Sequence, residues 1–94
     1  MASISELPTN ARADLTARLK RIEGQARGIQ KMLEDGRDCS DVINQISAIK
    51  AATNALSVEA LEAFALYCFT KAADSDHPEQ AVSEAVRALV RAGR

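Results

Sequence analysis

From Cys39 to Ala72 the chain contains neither Gly nor Pro, and this stretch reads as one long helix. Cys39, Val42, Ile46, Ile49, Thr53, Leu56, Ala60, Ala63 and Tyr67 alternate spacings of three and four. A second row holds Ile43, Leu61, Phe64 and Cys68. A helix apolar on two flanks belongs at the centre of a bundle. Near its ends stand the chain's only two thiols, Cys39 and Cys68, 29 residues apart. That separation returns the second thiol to within about 20° of the first, roughly 43 Å along the axis. A disulfide needs Cα atoms about 4.4–6.8 Å apart, so the pair cannot close within one straight helix. An antiparallel copy would set Cys39 of one chain beside Cys68 of the other, twice per pair. The two-fold axis would then pass between Thr53 and Asn54, where the small residues Ala51, Ala52 and Ala55 permit a close crossing.

The rest of the chain reads as two further helices. Residues 1–11 form a polar, flexible arm with Pro8, and Thr9 or Asn10 is placed to cap a helix over about 12–34. Leu15, Leu19, Ile22, Ala26, Ile29 and Leu33 give that helix an apolar seam. Gly24 and Gly28 lie within it, four residues apart, where another backbone or a ligand can approach closely. Gly36 suits the left-handed position after a helix end, and Asp38 suits the cap of the next helix, about 39–72. Pro78 opens a third helix over about 79–92, with Val82, Ala85, Val86 and Leu89 as its stripe. The fold class is therefore all-α, a three-helix protomer whose long hairpin would pair into an antiparallel four-helix bundle.

Aromatic residues make up only 3% of the chain, so the core is built from Ala, Leu, Ile and Val. So thin a core gains stability by oligomerising. The net charge is −1, but it is unevenly spread. Between Arg12 and Lys31 six cations (Arg12, Arg18, Lys20, Arg21, Arg27, Lys31) face two anions, Asp14 and Glu23. Repeated by symmetry, such a stripe makes a phosphate-binding surface, although a solvated helix face has the same composition. No apolar run has the length of a membrane span, so the expected location is the cytoplasm.

The sequence offers no catalytic constellation: there is one histidine, His77, in a turn, and no Gly-rich phosphate loop. Not an enzyme is the expectation. In a reducing compartment two cysteines point to metal or redox chemistry, or are simply small core residues. Two thiolates suit soft Cu(I), whereas Zn(II) wants four ligands. At a helix N-terminus, where free N–H groups and the dipole favour an anion, Cys39 is the expected attacking thiolate and Cys68 the resolving one.

The stretch from Arg18 through Lys20, Arg21, Glu23, Gly24, Gln25 and Arg27 to Ile29 resembles the first-helix signature of the CsoR/RcnR family of bacterial repressors. The stretch from Cys39 through Asp41, Asn44, Gln45 and Lys50 to Ala52 resembles its second-helix signature. The resemblance covers about residues 12–90, within a single domain at 12–94. It implies an antiparallel dimer assembled into a disc-shaped tetramer that represses by binding operator DNA. It implies Arg18, Lys20, Arg21 and Lys50 as DNA contacts, and release of DNA through chemistry at Cys39 and Cys68.

One departure bears on the inducer. Copper sensors of the family carry a histidine four residues before the second cysteine, and here that residue is Phe64. Glu84 resembles the third-helix glutamate that supports the missing histidine. The histidines of the nickel/cobalt branch are also absent. Formaldehyde responders resemble chains with Pro at position 2 and the same histidine, where this chain has Ala2 and Phe64. The dithiol that remains is most like the persulfide-sensing, CstR-type branch. The expected inducer is therefore a reactive sulfur species acting without a cofactor, and the alternatives are Cu(I) held by two thiolates, then formaldehyde.

Overall fold

A computed structural model describes residues 3–92, which form three helices: α1 (Thr9–Glu34), α2 (Cys39–Ala73) and α3 (Pro78–Ala92). No strand occurs among the described residues. Ala2 at the start of the arm, and positions 93 and 94 at the end of the domain, lie outside them.

Residues 9–11 of the expected arm belong to α1. α1 begins at Thr9, three residues earlier than its apolar seam suggests, and Pro8 rather than Thr9 or Asn10 occupies the cap. Before it, Ile4–Glu6 make a 3-10 turn closed by a capping box: the Ser5 N–H donates to Ser3 Oγ, and the Ser3 N–H donates to the Glu6 carboxylate at 2.6 Å. Leu7, next in the chain, is only 5% exposed. Of residues 3–8 only Leu7 is buried, and the reciprocal cap is internal to Ser3–Glu6.

The turn between α1 and α2 is built as its residues dictate. Gly36 has φ +67°. Its N–H donates to the Leu33 carbonyl, and the Arg37 N–H donates to the Met32 carbonyl at 3.0 Å. This pair of bonds is a Schellman motif, which satisfies carbonyls the helix end would otherwise leave open. Gly36→Ala is expected to cost about 1–2 kcal/mol, read as a lower denaturant midpoint at unchanged slope. Gly24 and Gly28 differ: a Cβ at either would meet nothing within 4 Å. The close approach they permit is not used within the protomer.

Both α1 and α3 pack against α2, which lies between them in the packing order. The inner row of α1 is Ala11, Leu15, Arg18, Ile22, Gln25, Ile29 and Met32. Only part of the expected seam faces inward, and Leu19, Ala26 and Leu33 are exposed on a second face. The α3 stripe is likewise rotated. Ala81, Ala85, Ala88 and Leu89 turn inward, while Val82 and Val86 join Val90 in an exposed row. Alanines let two backbones approach more closely than valines do, so the small residues take the contact.

The protomer spans 61 × 24 × 14 Å with a radius of gyration of 18.1 Å. A compact domain of about this length has a radius near 13 Å. The accessible surface is 7024 Å², whereas a folded monomer of 10.1 kDa exposes about 5,300 Å². Among the described residues no side chain is fully buried, and Ile43, Ile46, Val58, Leu66 and Phe69 of α2 lie open, Leu66 at 69%. The surplus of about 1,700 Å² matches one partner's share of an obligate interface, about 1,000–2,500 Å². Sedimentation is expected to return a multiple of 10.1 kDa at micromolar concentration.

Candidate functional site

Cys39 is the first residue of α2 and is exposed; Cys68 lies five residues before the helix ends and is half-buried. Both are free thiols. They sit on one uninterrupted helix, so their separation of about 43 Å stands and neither can reach the other inside a protomer. Around Cys39 the side chains satisfy one another. Asp38 makes no side-chain cap, and the Ser40 hydroxyl donates to its carboxylate. Arg37 pairs with Asp41 at 3.7 Å, one helical turn along. This arrangement leaves the thiol without a protein partner among the described residues.

Phe64 stands one turn before Cys68, half-buried as Cys68 is. Its ring supplies apolar bulk and no lone pair beside that thiol's turn of helix. No group of three or more His, Cys, Asp or Glu able to hold a metal ion occurs among the described residues. Glu84 is exposed on α3, where it borders a shallow surface with Val86, Arg87, Val90 and Arg91. His77 lies in the α2–α3 turn, exposed, its backbone N–H donating to Ser75 Oγ at 3.2 Å.

The candidate phosphate contacts divide into two groups. Lys20, Arg21 and Lys50 are exposed, and none of them forms an ion pair among the described residues. Lys20 edges an open groove with Arg12, Thr16, Leu19 and Leu56, and Lys50 edges another with Ser47, Thr53 and Asn54. Arg18 differs, because it lies on the inner row of α1 and pairs with Glu59 of α2 at 3.3 Å. Glu59, which the helical pattern places in solvent, is thus half-buried across the helix interface, while Glu62 does face solvent. The pair is 41 residues apart in sequence. The one available signal is a charged residue at a 3,4-spaced position where an apolar one belongs.

The chain is thus an α-helical hairpin with an outward cationic row on α1 and a free thiol near each end of its long helix. Its sequence matches the family model described as "Metal-sensitive transcriptional repressor" over residues 11–91. The chain belongs to that family. It is 50% identical over 70 residues to the copper-sensing transcriptional repressor CsoR of Bacillus subtilis (strain 168), covering 74% of this chain and 69% of that protein. It is 34% identical over 85 residues to the copper-sensing transcriptional repressor RicR of Mycobacterium tuberculosis (strain ATCC 25618 / H37Rv), covering 88% of each. Among solved structures it resembles the copper-sensing repressor CsoR with Cu(I) from Geobacillus thermodenitrificans NG80-2, with a TM-score of 0.71, 37% identity and coverage of 100% and 95%. It also resembles the nickel-responsive transcriptional regulator InrS, with a TM-score of 0.70, 34% identity and coverage of 84% and 89%. These relatives are named as regulators, not as enzymes. No helix of the described residues is long and apolar enough to cross a membrane.

Proposed function

We propose that this chain is an operator-binding repressor of the cytoplasm, working as an antiparallel dimer or a tetramer. Its signal acts where Cys39 of one protomer meets Cys68 of its partner. The observation that carries the reading is the placement of two free thiols near opposite ends of one unbroken α2. Only a second chain can complete the pair, and the surplus surface with its exposed apolar side chains calls for a second chain. DNA would be held through Lys20, Arg21, Lys50 and Arg18, whose contacts are electrostatic.

Cu(I) is the signal that the relatives support, because CsoR and RicR are both named as copper-sensing. Two thiolates suit this soft ion, which accepts low coordination numbers. A bridge between Cys39 and the partner protomer's thiol would tie the ends of two α2 helices together. It lowers operator affinity to the extent that the tied shape binds DNA less well.

A reactive sulfur species is the second reading, favoured by one residue, Phe64. Fold alone does not choose between signals, since the two structural neighbours are named for different metals at similar identity. In this reading the Cys39 thiolate takes the outer sulfur of a persulfide donor, and the donor leaves as a thiolate. The Cys68 thiolate of the other protomer then attacks Cys39 Sγ and expels hydrosulfide, leaving an interchain disulfide.

The test is operator binding by reduced protein, using a duplex it selects from a random pool, titrated in parallel with Cu(I) and with a polysulfide. Without either, log affinity should fall with log salt by about 0.9 for each phosphate contacted, and Lys20→Gln or Arg21→Gln should flatten that slope by about one contact. Release by Cu(I) at one ion per thiol pair supports copper; release by polysulfide with a covalent dimer supports sulfur sensing. If binding changes with neither, the thiol-switch reading fails.

A further inference from the structure

Every cation of α1 but one faces outward. Arg12, Lys20, Arg21, Arg27 and Lys31 are exposed, whereas Arg18 lies on the row that packs against α2. A charge on a packing row needs a counter-charge, and Glu59 provides it. Among the described residues this is the one ion pair that joins two helices; Arg27–Glu23 lies within α1, and Arg37–Asp41 joins the α1–α2 turn to the first turn of α2. The side chains of Arg18 and Glu59 remain 38% and 43% exposed. A pair so open to solvent is weak and can be traded for another partner.

We propose that Glu59 is a positioning residue that withholds Arg18 from nucleic acid, its carboxylate competing with a DNA phosphate for one guanidinium. This rests on the reading of Arg18 as a phosphate contact. DNA binding then costs the protomer the ion pair between α1 and α2. Operator affinity and the α1–α2 register become linked. Glu59 lies on α2 nine residues before Cys68, so any signal that shifts α2 along α1 also changes how firmly Arg18 is held. A tighter Arg18–Glu59 pair weakens DNA binding, and a looser one strengthens it.

Removing the carboxylate should therefore strengthen DNA binding. Glu59→Gln is expected to tighten binding to the selected duplex about two- to fivefold at low salt. Glu62→Gln removes the same formal charge from the same helix one turn along, from a residue without an ion-pair partner among the described residues, and is expected to change affinity less than about 1.5-fold. In an Arg18→Gln background the gain from Glu59→Gln should vanish. Circular dichroism and sedimentation of each variant establish that helix content and assembly are unchanged. Equal gains from Glu59→Gln and Glu62→Gln, or a gain that survives in the Arg18→Gln background, would overturn the proposal. Weaker binding by Glu59→Gln would overturn it as well, showing that the carboxylate presents Arg18 to DNA. If the wild-type chain shows no salt-dependent DNA binding, the underlying reading falls with it, which is a separate and recognisable result.

Discussion

Serine at position 39 or 68 is expected to erase inducer release while leaving operator binding near the wild-type level. Both thiols are free and lie on α2, and neither is among the candidate phosphate contacts Arg18, Lys20, Arg21 and Lys50. Cys39 is exposed at the first residue, so Cys39→Ser costs little packing. Cys68 is half-buried, so Cys68→Ser places a hydroxyl in a partly apolar setting, at a cost of about 1 kcal/mol. Neither change touches Lys20, Arg21 or Lys50. The expected signature is therefore wild-type affinity without inducer and no response with it. Titrating both variants with Cu(I) and polysulfide against labelled duplex checks this. A variant that still releases DNA would show that one thiol suffices, which a bridge between two thiols does not allow.

The second large effect is expected at Phe64. Histidine there sits one turn before Cys68 on the same side of α2, where its imidazole reaches toward whatever the thiol binds. With Phe64 in place, Cu(I) has two sulfur ligands and no imidazole. Phe64→His offers an S₂N set, and the gain in Cu(I) affinity should be on the order of tenfold or more. X-ray absorption should show three-coordination in the variant and two-coordination in the parent. The same change should not raise reactivity toward polysulfide, because imidazole adds nothing to a sulfur–sulfur exchange that two thiols complete. If Phe64→His leaves copper affinity and coordination unchanged, position 64 does not face the site.

The helix boundaries were readable because particular residues enforce them. Gly36 alone tolerates the left-handed turn, Asp38 ends the linker, and Pro78 starts α3. The long α2 was equally plain, because nothing between Cys39 and Ala72 interrupts it. Composition gives no sign that Leu7 is buried or that a capping box closes the turn at Ile4–Glu6, because both depend on local geometry rather than on polarity. Periodicity showed that α3 has one apolar side but not which part of it packs. Val82 and Ala85 are three positions apart, and the contact went to the smaller residue. The placement of one thiol near each end of α2 was legible as spacing, whereas the partner of Arg18 depends on how α1 and α2 align, and its one sequence mark is a charge at a 3,4-spaced position. Leu19, Leu33, Ile43 and Ile46 look like core in sequence and are open in the protomer, where the proposed second chain would cover them.

That dependence on a second chain is the central claim, and mixed dimers test it most directly. A Cys39→Ser protomer keeps Cys68, and a Cys68→Ser protomer keeps Cys39. Neither variant alone has a complete pair, but an antiparallel mixed dimer has one intact pair at one end. The account predicts that mild oxidation of the mixture yields a covalent dimer, with mass spectrometry joining the Cys39 peptide of one chain to the Cys68 peptide of the other. Each variant alone should yield no such link. No Cys39–Cys68 peptide from the mixture, or covalent dimers joined only through like thiols, would contradict the antiparallel site.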